Sequence, residues 1–191
     1  MATNAHLTTQ SPPTKYNLRR DLIAAIETGQ LAGLIMAVAI IAVFALVLRT
    51  PWYHPVQVIG SVVVGERAVA GNFLLPAFLA GLLVHQLVAL GWSVFFAFMI
   101  NKVQHTWGNV LAVGLATGVL AQLLGRAVIV PLAMTALQGR NLWAENVPGG
   151  WSWVAHLVFG LSFLLFVPLW ARAPKGPMAR SVDEGVAHGR R

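Results

Sequence analysis

The sequence predicts an all-α fold, a bundle of four transmembrane helices, and three observations carry that prediction. Of 191 residues, 57% are hydrophobic and only 10% are charged, where a soluble domain carries roughly a quarter charged residues. The excess is concentrated in four apolar runs, 31–48, 73–100, 109–137 and 151–171. Each reaches or exceeds the roughly 18–20 residues that a helix needs to cross hydrocarbon. Lipid offers no partner to backbone N–H and C=O groups, so such runs must be helical. Too little polar sequence remains to surround four helices of this kind as the core of a soluble protein.

Residues 1–16 are polar and contain a Pro pair, and they read as a disordered tail. Asn17 then opens an interfacial turn, "NLRRDLIAAIETGQ", that leads into a first helix at about 22–48. Its basic flank (Lys15, Arg19, Arg20) resembles a signal peptide's, but the run continues into "RTPWYHP" with no small-x-small cleavage site, so it reads as an uncleaved anchor. The next connection, "PWYHPVQVIGSVVVGERAVAG", is longer than a hairpin requires. Its apolar stretch 56–64 is too short to span, so it reads as a segment in the outer interface with Trp52 and Tyr53 at headgroup level. A re-entrant segment is the alternative, and that needs shielding by protein. The second helix covers about 73–100 and the third about 109–137, with Pro131 near its outer end, where a kink is tolerated. After the loop "QGRNLWAENVPGG" the fourth helix covers about 151–171, and 172–191 forms a basic tail that touches anionic headgroups. Residues 17–171 thus make one membrane domain.

Charge placement orients it. With the N-terminus inside, nine Lys and Arg residues face the cytoplasm and three (Arg49, Arg67, Arg140) lie outside, with Arg126 left within a helix. That bias puts both termini in the cytoplasm. It also accounts for the net charge of +7, so no nucleic-acid partner is expected. With no cysteine, disulfides, thiolate metal sites and a Cys nucleophile are all excluded.

The halves of the chain read as two tandem two-helix repeats. Helix 1 holds Gly29 and Gly33 and helix 3 holds Gly114 and Gly118, each a G-x-x-x-G pair. Helix 2 then places His85 between Gly81 and Ala89, and helix 4 places His156 between Ser152 and Gly160, all at spacings of four. The glycine faces of helices 1 and 3 are expected to meet inside the bundle.

His85, His156, Arg126 and Gln122 fall at similar depth in the outer half, and ionisable groups inside a membrane usually face the bundle interior. As packing glue, each histidine hydrogen-bonds a neighbouring helix, while Arg126 snorkels or pairs with Glu66 or Glu145. As a cofactor site, His85 and His156 ligate a b-type haem and Arg126 meets a propionate. As a conduit, the layer is short of carboxylates, since Glu27 stands only at the inner edge. No spacing typical of a membrane hydrolase is present, and two imidazoles alone lack a third metal ligand. His54 and His105 read as ordinary interfacial residues.

The stretches "GLATGVLAQLLGRAVIVPLAM", "LWAENVP" and "WVAHLVFGLSFLL", with "GQLAGLIMAVAI", "VQVIGSVVVGE" and "GLLVHQL" before them, resemble a family of uncharacterised bacterial four-helix inner-membrane proteins, a domain of unknown function. The likeness covers about residues 29–170 and rests on Gly29, Gly33, Gly65, His85, Pro131, His156 and Gly160. It departs at Gln122 and Arg126, where the family pattern has more aromatic or amide character. The resemblance implies a bacterial inner-membrane location and supplies no reaction. The expected function is therefore that of a non-catalytic, multi-pass protein without a resident cofactor, an accessory subunit in contact with the bilayer and packed on itself or a larger membrane protein. Haem-based electron transfer and a proton or solute conduit are the alternatives.

Overall fold

The structure is a computed structural model and describes residues 17–173. The two expected tails, apart from Arg172 and Ala173, lie outside the described residues. Among those residues all regular structure is helical, and four helices are long and apolar enough to span: α1 (Leu18–Val47), α3 (Leu75–Ile100), α4 (Trp107–Gln138) and α6 (Gly149–Arg172). Two short helices join them, α2 (His54–Val64) and α5 (Leu142–Asn146). Only 22–28% of each apolar window is buried within the bundle, so most of its hydrocarbon surface faces outward. Four such surfaces belong in a bilayer.

Local sequence sets the boundaries. Asn17 caps α1, its Oδ1 accepting from the Arg20 N–H. The helix therefore starts four residues earlier than expected, and Asp21 becomes part of its first turn. At the other end the last turn widens and Arg49 takes a left-handed φ of 55°. In α4, Thr106 caps the start and Gly139, at φ 74°, ends it. Between them, Ala121–Ile129 forms a π-helical stretch, closed by Val130 N–H donating to Gly125 O. Pro131 follows directly; it has no N–H and its ring crowds the carbonyl four residues back. The widened turn frees the carbonyls that the proline ring would otherwise crowd.

The four long helices form a ring in the order α1, α3, α4, α6. Glycines set which helices approach. A Cβ on Gly29 would lie 1.7 Å from Ser93 Oγ, and one on Gly33 would lie 2.9 Å from Ala89 Cβ. A Cβ on Gly118 would lie 2.4 Å from His156 O, and one on Gly114 2.6 Å from Gly160 O. So the glycines of α1 face α3 and those of α4 face α6. The expected meeting of the first and third helices does not occur, because each glycine face is used within its own half. The two halves nevertheless share one contact scheme, with a G-x-x-x-G helix packed on a helix that carries histidine between small residues. The halves join closely at α1 and α6, while α3 and α4 make the smallest contact in the ring.

The connection before α3 is not merely interfacial. Val56, Gln57, Val58, Gly60 and Ser61 of α2 are buried, and α2 packs alongside the first turns of α3. A Cβ on Gly60 would lie 1.9 Å from Ala77 O, and one on Gly81 2.0 Å from Val56 O, so two backbones touch. Buried Gln57 holds the following loop by donating to Ala68 O (2.9 Å) and Asn72 O (3.1 Å) and accepting from Leu74 N–H (2.6 Å). Trp52 and Tyr53 cluster with Phe73 and Phe78 at this end.

Candidate functional site

The end of the bundle that carries Asn17 and Ala173 is filled by large rings. Phe96 stacks on Phe163 at 4.2 Å and meets Phe166 edge-on at 5.3 Å, with Phe159 against Phe163. Toward α2 the facing residues shrink to Ala89, Ala121, Ala133 and Ala155, and the interior opens into a cavity of about 200 Å³. Phe159 forms its floor, and Pro55, Ile59 and Val62 of α2 its roof. Val88 of α3 and Ile129 of α4 line it while remaining 51% and 54% exposed, so it opens sideways through the loose α3–α4 seam.

The structure brings His85, Arg126 and His156 together on this cavity, as their depths in the sequence suggest. His85 Nε2 lies 2.9 Å from Gly33 O, across the α1–α3 contact. His156 Nδ1 lies 2.8 Å from Ser152 O on its own helix, so it does not tie a neighbouring helix as expected. A carbonyl only accepts, so these nitrogens carry the ring protons, leaving His85 Nδ1 and His156 Nε2 as acceptors in the neutral rings. Gln122 is not in the cavity lining. It is buried behind it, its Oε1 accepting from Ser152 Oγ at 2.7 Å. The small residues Gly29, Gly33, Gly81, Gly114, Gly118 and Gly160 all sit at helix contacts, as the packing assignment requires.

Arg126 has neither of its expected partners. Glu66 and Glu145 are both taken by Arg140, which donates from Nη1 to Glu66 Oε1 at 2.8 Å and from Nη2 to Glu145 Oε2. Those bonds, first to Glu145 and then to Glu66, push the Arg140 pKa further up. The Arg126 guanidinium instead lies against Gly149, where a Cβ would fall 2.7 Å from Nη1. Among the described residues it makes no hydrogen bond and no ion pair. Trp143, also on the cavity, has a buried Nε1 with no hydrogen-bond partner. In the sequence Trp143 reads as a residue of the second outer loop with no role; its buried N–H depends on tertiary packing.

A second polar cluster went unrecognised in the sequence. Asp21 is fully buried at the opposite end of the bundle. Its carboxylate accepts from Asn101 Nδ2 (2.6 Å) and Trp170 Nε1 (2.7 Å), and His105 Nε2 stands 3.6 Å away. Arg20 donates to Trp170 O from Nη2 at 2.7 Å, with its guanidinium 3.9 Å above the Trp170 ring. Four segments of chain are fastened at this point, and His105 is part of the fastening rather than an ordinary interfacial residue. The signal was available: Asn17 with an acidic residue in the following turn marks a helix start.

As a haem site the histidine pair is poorly matched. His85 Nε2 is already committed to Gly33 O, and about 200 Å³ is less than the roughly 300–1,000 Å³ of pockets for drug-sized ligands. No group of three or more potential metal ligands is present among the described residues. No protein-family model, curated protein or solved structure matches the chain.

Proposed function

We propose that this is a non-catalytic integral protein of the bacterial inner membrane, both termini cytoplasmic, that binds a lipid-borne ligand in its lateral cavity. The observation that carries the reading is the cavity itself: apolar walls, a lining that includes His85, Arg126, Trp143 and His156, and a mouth between α3 and α4. Pockets of that composition between helices of a bundle are where small ligands bind. The mouth sits among residues that face lipid, so a ligand dissolved in the bilayer reaches it without crossing water. Nine inner against three outer cations support the orientation. In this reading the accessory role is one of holding or presenting that ligand within a membrane assembly.

The test is to purify the full chain gently from its native membrane and identify retained small molecules by native mass spectrometry. A stoichiometric adduct is expected on the wild type, and Ala133→Phe, which fills the cavity from α4, should lose it while still folding. A wild type that carries no adduct, or an adduct indifferent to Ala133→Phe, would refute the proposal.

A further inference from the structure

Resting on the cavity as a ligand site, the geometry points to the class of ligand: an amphiphile whose head is an oxyanion, carboxylate or phosphate, on a hydrocarbon chain. Arg126 and Trp143 hold the head, and the chain leaves between Val88 and Ile129 into the bilayer.

Charge selects the head. The described residues contain four carboxylates, and none serves Arg126: Glu66 and Glu145 are bonded to Arg140, Asp21 is bound at the far end, and Glu27 is exposed on α1. The cavity lining therefore includes one arginine whose guanidinium has no hydrogen-bond partner among the described residues, and one tryptophan whose indole N–H is buried without an acceptor. A part-buried cation with no counter-charge is costly, and an incoming anion removes the cost. A neutral acceptor satisfies Trp143 but leaves the charge; a cationic head is repelled. An oxyanion answers both, since guanidinium and oxyanion form paired, charge-assisted hydrogen bonds. Volume selects the rest. About 200 Å³ of apolar space takes a head and the first part of a chain, with the remainder lying in the open seam.

The source of that oxyanion is either a bilayer phospholipid or a free fatty acid, and the test separates them. Delipidated full-length protein in neutral detergent is titrated with palmitate, with phosphatidylglycerol and with uncharged hexadecanol, read by native mass spectrometry and thermal shift. Palmitate or phosphatidylglycerol should form a one-to-one adduct that hexadecanol does not; whichever of the two binds names the source. Arg126→Gln should weaken that adduct by about tenfold or more, and Trp143→Phe should weaken it too, which keeps the test open if Arg126→Gln does not fold. Hexadecanol binding as well as palmitate, lost in Ala133→Phe but indifferent to Arg126→Gln and Trp143→Phe, would overturn the inference and leave the cavity reading standing. No binding of any probe would overturn both.

Discussion

The contact between Gly60 and Gly81 sets the position of α2, and with it the roof over the cavity. In Gly81→Ala the new Cβ would sit 2.0 Å from Val56 O, where ordinary contact begins near 3.4 Å, so α2 must shift by about 1.4 Å. The obstructing atom is backbone and has no rotamer to retreat into. Overpacking of this kind costs about 1–3 kcal/mol. Alanine also favours a helix over glycine by about 1 kcal/mol, which masks part of the loss. Gly91→Ala supplies the control, because its Cβ meets nothing within 4 Å on the same helix. Read as the gap between the two variants, the steric cost is separated from helix propensity. At about 2–4 °C per kcal/mol for a chain of this size, Gly81→Ala should melt about 2–12 °C below Gly91→Ala in the same detergent. Coincident melting curves would show that α2 is not seated on α3 through this glycine pair.

Four further outcomes are expected. His85→Leu should lower thermal stability by about 0.5–1.5 kcal/mol through the lost bond to Gly33 O, and His156→Leu by less, since its partner is in its own helix; the reverse order in a melting assay would contradict the assigned bonds. Asp21→Ala leaves the buried donors of Asn101 and Trp170 unpaired, at about 1–3 kcal/mol each, so it should be the most destabilising of these substitutions; unchanged resistance to proteolysis would refute that. Burial lowers the His54 pKa below its ordinary value of 6.5, so the unfolded chain binds the proton more readily. This contribution is full above about pH 6.5 and lost as pH falls below it; His54→Gln should flatten that acid-side decline, and an unaltered pH–stability profile would rule the residue out. Oxidised and reduced spectra of protein from native membranes should show no Soret band that moves on reduction, and a band abolished by His85→Leu or His156→Leu would restore the haem reading.

The four spans, the mixed polar layer and the small-residue contacts were legible because lipid imposes them residue by residue. Apolar length, histidine depth and spacings of four are local properties. Partner choice is not local. Gly29 and Gly33 are as suited to the glycines of α4 as to the Ala89 and Ser93 of α3, and only the closed ring decides between them. Arg126 and Arg140 are likewise indistinguishable as partners for Glu66 and Glu145 until the loops fold and place Arg140 nearer. The burial of α2 was hidden for a similar reason: Gly60 reads as an ordinary glycine until Gly81 is set against it. Asp21 was missed by a boundary error of four residues, which moved a carboxylate from the headgroup region into a packed helix end.

The placement of α2 also fixes an order of assembly. Its 11 residues extend only about 16 Å, too short to cross a bilayer as a span of their own. The backbone that receives it belongs to α3, which emerges from the ribosome later, and Gln57 must wait for Leu74 to present its N–H. During synthesis, then, α2 is a segment without a seat until α3 has followed it. The vulnerable interval in biogenesis falls between those two events, and a chain stalled there would expose an apolar helix to chaperones and proteases.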